Sequence, residues 1–472
     1  MTLRIYNTMT RTEEPFVPLV PGKASIYVCG ITVYDFCHVG HARSLIFFDA
    51  LVRYLRWRGY DVTFVRNITD IDDKIIHRAA ERGEPWDALA KRFAEAMRED
   101  AAALGCVPPD IEPAATRHIP EMIEIIRRLE SKGLAYHVGG GDVYFSCGDY
   151  ARYGELSHRD ADDLMAGARV DVDQRKKNPM DFALWKGAKP GEPSWPSPWG
   201  EGRPGWHIEC SAMSVKYLGQ PFDIHGGGED LIFPHHENEC AQSSGASGGD
   251  FVRYWIHHAF VRIDREKMSK SLGNVFTIRD TLAQVESEGL RLHLLSTHYR
   301  SPLDFSIDGV TESTRALLRA YETLARAADA GVKDPGFGFE SREVTELVAV
   351  MDDDLNTARA VGLAFDAVRD INRALDAGKP ADATRPVGLL RAAGAGLGLF
   401  QRQAAEFLDS YRRRGAGRSG VTAAEIEAFI AERAAARKGK NFVRADEIRR
   451  ELSDRGVTLE DGPGGTTWKL DT

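Results

Sequence analysis

The feature that most restricts how this chain can fold lies in its first 65 residues. Ala24–Gly30 (ASIYVCG) is a short apolar run ending in glycine and reads as a buried strand. A helix is predicted from near His38, because Leu45, Phe48, Val52 and Leu55 recur at spacings of three and four and make one apolar face. Asp61–Val65 (DVTFV) reads as the next strand. Strand, glycine turn, helix and strand form a βαβ unit, in which the crossover helix forces the two strands parallel. The N-terminal part is therefore expected to be α/β, built on a parallel sheet.

The middle, from about 116 to 205, changes character. Gly139-Gly140-Gly141, the basic run Arg175-Lys176-Lys177 and a Pro/Trp/Gly-rich stretch at 190–206 read as an insertion that splits the α/β domain. A second α/β portion resumes near Trp206 and holds Phe222–Gly228 (FDIHGGG). From about 310 to 405, apolar residues at helical spacing (Leu317, Leu318, Tyr321, Leu324; Leu347, Val350, Met351, Leu355) predict a helix bundle. Gly415–Gly420 (GAGRSG) reads as a flexible linker before a small compact tail. The chain has no internal repeat.

Composition excludes several classes. No stretch approaches the roughly 20 apolar residues that span a bilayer, and the opening residues lack the pattern of a signal peptide, so a cytoplasmic protein is expected. Six cysteines, at 29, 37, 106, 147, 210 and 240, form no CxxC pair, which argues against a disulfide framework. The formal net charge of -9 excludes a generally basic nucleic-acid binder. The stretch from Arg412 onward is mildly basic, which suits a polyanionic partner at that end or ordinary variation in surface charge.

Three groups of residues carry chemistry. In Cys37-His38-Val39-Gly40-His41, at the strand-to-helix turn, His38 and His41 share one side of the first helical turn. Free N–H groups of that turn favour an anion, and two imidazoles beside a polyphosphate can stabilise the charge of a departing diphosphate. Alone, such a pair more often caps or packs. Lys267-Met268-Ser269-Lys270-Ser271 is a loop whose two mobile lysines suit phosphates, though alone it is a common exposed loop. The third group is Cys29 at the strand end, Cys210, and His235 with Glu239 at i and i+4. Two thiolates, an imidazole and a carboxylate are all zinc ligands, and a zinc site that keeps one position open can take a substrate thiol. Spacing alone does not join Cys29 to Cys210 across the sequence, and it leaves His225, His236 and Cys240 as alternative donors. Glu239 fits either as a ligand or as support for one.

HxGH at a βα turn, followed more than 200 residues later by KMSKS, resembles the signatures of class I aminoacyl-tRNA synthetases. Longer stretches narrow the resemblance to the cysteinyl-tRNA synthetase family. They are Cys29-Gly30 with Thr32-Val33-Tyr34-Asp35, Asn67–Lys74 (NITDIDDK), Asn178–Lys186 (NPMDFALWK), Gly205–Met213 (GWHIECSAM) and Asp223–Glu239 (DIHGGGEDLIFPHHENE). Two departures are Ile31, where the family usually has proline, and His257-His258-Ala259, where it usually has His, a small polar residue and Gly.

The resemblance implies an α/β fold: a Rossmann-type parallel-sheet catalytic domain split by an insertion, then a helical bundle and a small C-terminal α+β anticodon-binding domain. It divides the chain into 1–115 and 206–255 (catalytic halves), 116–205 (connective insertion), 256–310 (KMSKS-bearing stem-contact region), 311–405 (bundle) and 406–472 (anticodon-binding domain). The implied reaction adenylates L-cysteine with ATP, with Mg2+ expected, and esterifies it to tRNA(Cys). By the same resemblance Cys29, Cys210, His235 and Glu239 hold one Zn2+, and Thr69 and Trp206 line the cysteine pocket. His38, His41, Gly227, Lys267 and Lys270 meet ATP, and the chain is a monomer. The nearest rival is a cysteine:sugar-amine ligase with a similar core but without a tail of this form. A catalytically silent RNA-binding paralogue is opposed by the intact motifs, and a zinc hydrolase by the missing HExxH spacing. In the tail, Trp468 reads either as a base-stacking residue or as core.

Overall fold

The computed structural model describes residues 2–159, 174–263, 266–267, 276–418, 422–462 and 465–470. A hairpin of β1 (Arg4–Asn7) and β2 (Thr12–Pro15) precedes the predicted βαβ unit, which is β3 (Lys23–Val28), α1 (Val39–Trp57) and β4 (Asp61–Arg66). Strand β3 ends at Val28 rather than Gly30. The Cys29 N–H still reaches the Gly226 carbonyl at 3.2 Å, but the Gly30 N–H turns to the Asn67 side chain, which ends the ladder. Helices α2 (Asp73–Arg82), α3 (Trp86–Ala103) and α4 (Ile119–Ser131) follow. The insertion is a small antiparallel sheet of β5 (Ala135–His137), β6 (Val143–Phe145), β7 (Phe182–Gly187) and β8 (Gly202–Pro204), paired in that order.

The chain then re-enters the main sheet through α5 (Trp206–Leu218), β9 (Phe222–Gly228), α6 (Glu237–Ser247) and β10 (Val252–His258). The sheet order is β10-β9-β3-β4, all parallel. From β3 the chain steps outward to β4 and later returns to β3's other flank as β9. The direction of winding thus reverses between β3 and β9, and such a switch point opens a crevice at the carboxyl ends of the strands. Residues of β9 are buried through Gly227, as expected for a parallel strand covered on both faces.

Beyond the sheet, Val261–Ile263 pairs with Glu266–Lys267 and with Leu303–Asp304. Long helices, among them Ile307–Asp329, Thr357–Asp376 and Thr384–Leu397, make the expected bundle, with Leu317, Tyr321, Leu324, Leu347, Val350, Met351 and Leu355 buried. One apolar core runs from Leu3 to Phe407 and joins bundle to sheet. Across it, buried Arg291 pairs with Asp49 of α1 and donates to the Leu397 carbonyl at 2.7 Å.

One expectation is corrected and one open alternative is decided. Gly415–Gly420 is not a linker over its first residues, because the helix Ala404–Arg418 continues through them. A glycine costs a helix about 1 kcal/mol, and the ion pair of Arg414 with buried Glu286 opposes that cost. Trp468 is not a free stacking platform. It is 5% exposed, packs with Ile426, Ile448, Leu452, Val457 and Leu459, and donates to Glu427 at 2.9 Å. Among the described residues no helix is long and apolar enough to cross a membrane.

Candidate metal centre and active cleft

A cleft of about 380 Å³ opens at the switch point, lined by the end of β3, the first turn of α1, Trp206, Gly228 and His258. Its shape depends on glycines. A Cβ on Gly30 would lie 1.6 Å from the Asn67 carbonyl oxygen, and one on Gly226 would lie 2.3 Å from the Phe48 ring. At the rim, His38 caps α1 in an extended conformation, and its N–H donates to His41 Nδ1 at 3.1 Å. The two imidazoles stack with centroids 3.7 Å apart. Gly40 leaves room for that stack, since a Cβ there would meet the His38 ring at 2.9 Å. The first turn of α1 therefore lines the cleft with two imidazoles beside it, and the positive end of a helix in such a setting favours phosphate.

The second signature is partly visible. Lys267 lies on its short strand with only its backbone described, and residues 268–275, with Lys270, lie outside the described residues. The backbone that follows docks on the first motif. Val39 N–H donates to Phe276 O at 3.0 Å, and Ile278 N–H donates to Cys37 O at 2.8 Å.

The floor of the cleft holds the third group. Cys29 Sγ lies 3.7 Å from Cys210 Sγ and 3.3 Å from Glu239 Oε1, and Glu239 Oε1 lies 3.0 Å from His235 Nε2. All four side chains are buried and their donor atoms fall within 4.8 Å of one another. Four ligands at zinc-like bond lengths of about 2.0–2.3 Å in a tetrahedron stand roughly 3.3–3.8 Å apart, so the spacing and donor types fit a metal ion. His235 approaches from the irregular helical turn Ile232–His236, Glu239 from α6 and Cys210 from α5.

The electrostatics suit that use. Burial, reinforced by Cys210, pushes the Cys29 thiol well up. The hydrogen bond from Cys29 pulls Cys210 down to about 6 against the opposing effect of burial. Burial works against charge on His235 and Glu239. Their mutual attraction nonetheless raises His235 to about 10, and attraction to His225 and His235 holds Glu239 well below the usual carboxylate range. The cluster thus keeps anionic donors in a dry pocket beside a cation that a metal would replace.

Sequence reasoning left His225 and His236 open as alternative donors and missed the parts that His207 and His257 play there. His207 Nδ1 stands 2.8 Å from His235 Nδ1, and His225 Nε2 stands 2.9 Å from Glu239 Oε2. His236 Nε2 lies 3.2 Å from Cys29 Sγ, and its Nδ1 lies 2.7 Å from His257 Nε2. The available signal was density: six of the 14 histidines fall at 207, 225, 235, 236, 257 and 258. Cys240 belongs to neither donor group found among the described residues. Trp206 lines the cleft and lies against the His235 ring at 4.2 Å. Thr69 is buried one layer back, with Asn67 Nδ2 at 3.3 Å from its hydroxyl. Of the glycine run at the end of β9, Gly228 faces the cleft, whereas Gly227 is packed against Leu231 and His236.

The chain matches the model of the tRNA synthetases class I (C) catalytic domain over residues 15–315, the DALR domain over 347–401 and the cysteinyl-tRNA ligase anticodon binding domain over 420–468. It is 55% identical to a cysteine–tRNA ligase of Alkalilimnicola ehrlichii, covering 99% of each chain. It is 52% identical to one of Geobacter metallireducens over the full length of both. Its fold is similar to that of Mycobacterium tuberculosis methionyl-tRNA synthetase in complex with methionyl-adenylate, with a TM-score of 0.58 at 18% identity over 82% of this chain and 93% of that one. A switch-point cleft rimmed by HxGH, a buried thiol floor and full-length identity above one half lead to one conclusion: the chain belongs to the cysteine–tRNA ligase family of class I aminoacyl-tRNA synthetases.

Proposed function

We propose that this protein activates L-cysteine with ATP to cysteinyl-adenylate and diphosphate, then transfers cysteine to the 3' end of tRNA(Cys). The observation that carries this reading is the convergence of Cys29, Cys210, His235 and Glu239 beneath a cleft rimmed by His38 and His41. In this reading those four residues hold one zinc ion. When bound, the ion supplies a Lewis-acidic position that takes a thiolate far better than a hydroxyl, which separates cysteine from the nearly isosteric serine.

The remaining work belongs to side chains and backbone. Trp206 closes one wall of the substrate pocket, and Thr69 supports it from behind. As the substrate carboxylate attacks the α-phosphorus of ATP, diphosphate departs with growing charge. His38 and His41 meet that charge at the positive end of α1, Lys267 and Lys270 of the second signature meet it as well, and Mg2+ would supply further positive charge. Gly227 with its neighbour Gly228 keeps the end of β9 slim beside the nucleotide. Residues 1–115 and 206–255 form the catalytic halves around the 116–205 insertion, 256–310 contacts the tRNA stem, 311–405 is the bundle and 406–472 binds the anticodon. The family resemblance supports a monomer, and six cysteines that form no disulfide among the described residues support a reducing cytoplasm.

Esterification of labelled cysteine and of labelled serine to bulk tRNA tests the reading. Charging with cysteine and not serine is expected. Cysteine-dependent ATP consumption without charging would instead send the adenylate to another acceptor, such as a sugar amine.

A further inference from the structure

A second set of donors shares the floor with the first. Cys29, His225, His236 and Glu239 are all buried, and one donor atom from each lies within 4.8 Å of the others. The two sets have Cys29 and Glu239 in common. Glu239 divides its oxygens: Oε1 faces Cys29 and His235, with His236 Nε2 at 3.9 Å, and Oε2 faces His225 Nε2 at 2.9 Å. His236 Nε2 approaches Cys29 Sγ at 3.2 Å. A carboxylate with one oxygen toward His235 and the other toward His225, beside a thiol common to both sets, is suited to bridging two divalent ions, which in two-metal sites stand about 3.5–4 Å apart.

The outer contacts rank the two positions. His235 has His207 behind it, and His236 is backed by His257, whose Nδ1 lies 2.8 Å from Thr8 Oγ1. Such outer partners orient a ligand and raise its basicity. Among the described residues His225 lacks one, since its buried Nδ1 has no hydrogen-bond partner there. One sulfur, two imidazoles and a carboxylate suit borderline-soft ions rather than magnesium or calcium.

We propose that His225 and His236, with Cys29 and Glu239, form a second and weaker position for a zinc-like divalent ion, bridged to the first through Cys29 Sγ and the two oxygens of Glu239. This inference rests on the reading that Cys29 and Glu239 hold the first ion. The second position fills only when metal is in excess, because it shares donors already committed. Filling it draws their charge away from the first ion, so excess metal inhibits cysteine-dependent exchange of diphosphate into ATP.

Cobalt(II) titration of the metal-stripped full-length protein tests this, with bound metal per chain read by equilibrium dialysis and the ions read by electron paramagnetic resonance. Two equivalents are expected, the second at least about 10-fold weaker, and its arrival should diminish the signal of the first because bridged cobalt ions couple magnetically. His225→Ala should keep the first equivalent and lose the second. Wild-type stoichiometry and coupling stand without any variant, so a poorly folded substitution does not decide the matter. Saturation at one equivalent overturns the second position and leaves the first intact. Binding of none overturns both, and a second equivalent that neither couples nor depends on His225 lies elsewhere and overturns the proposal.

Discussion

The floor of the cleft and the C-terminal module solve opposite problems. The floor buries histidines, thiols and carboxylates together: His225, His235, His236, Glu239 and Cys210 are each at most 1% exposed. The module buries a small apolar cluster around Ile448 and Trp468 and leaves most of its Arg and Glu side chains in solvent. Burying polar groups is costly unless they are paired, so the floor stands only as a connected network that a ligand completes. The module stands on apolar burial, and its surface charges are free to vary or to meet a partner. One region stores its chemistry in the interior, and the other has only its surface to offer.

The largest effect should come from removing a donor at the floor. Cys210→Ser is expected to lower metal affinity, and with it cysteine-dependent ATP–diphosphate exchange, by more than about 100-fold. Metal content by atomic absorption checks this, and a full complement of metal in the variant would take Cys210 out of the site. Next, Trp468→Ala should destabilise the module by about 3–5 kcal/mol. It should lower charging of tRNA while exchange of diphosphate into ATP stays near wild type. Equal loss of both activities would contradict the separation of the two regions.

Acid sharpens the same contrast. Burial lowers His258 to about 4, and burial likewise holds His207, His236 and His257 well below the usual imidazole range. A group with a depressed folded pKa stays neutral in the fold while the unfolded chain takes up the proton. The contribution of these four histidines is therefore fully present above about pH 6.5 and is lost toward pH 4, by about 3 kcal/mol for His258 alone. In the module, hydrogen bonding from Arg433 holds the Asp461 carboxylate well below its ordinary range, so that contribution persists until pH falls below about 4. Hydrogen-exchange protection over β9 and β10, taken relative to the intrinsic rate at each pH, should fall between pH 6.5 and 4 before protection over 422–462 does. The smallest effect is Asp461→Asn. It weakens the 2.8 Å pair with nearly buried Arg433, and because Asp461 is 40% exposed and screened the cost should be about 1 kcal/mol, read by chemical denaturation.

Local pattern made much of this legible. The spacing of Leu45, Phe48, Val52 and Leu55 marks the face of α1, and the glycine turn before it leads to the parallel pairing of β3 with β4. His38 and His41 could be placed on one turn because residues three apart on a helix are neighbours. The tail was harder to read. One tryptophan in an amphipathic segment fits a core or a stacking surface equally well, and only packing against Ile426, Ile448 and Leu459 decides for the core. The helical continuation past Gly415 likewise hangs on Glu286, which is distant in sequence.

The sequence by itself determined the βαβ entrance, the bundle, the two signature motifs and, through resemblance, the family. These depend on periodicity and on contiguous residues, which a linear string records directly. Only the tertiary structure decided that Cys29 meets Cys210 at 3.7 Å across 181 positions, and that His225, His236 and His257 crowd beneath them. The reason is topological. The reversal between β3 and β9 brings two distant strand ends side by side, and hydrophobic periodicity carries no information about which strand will lie next to which.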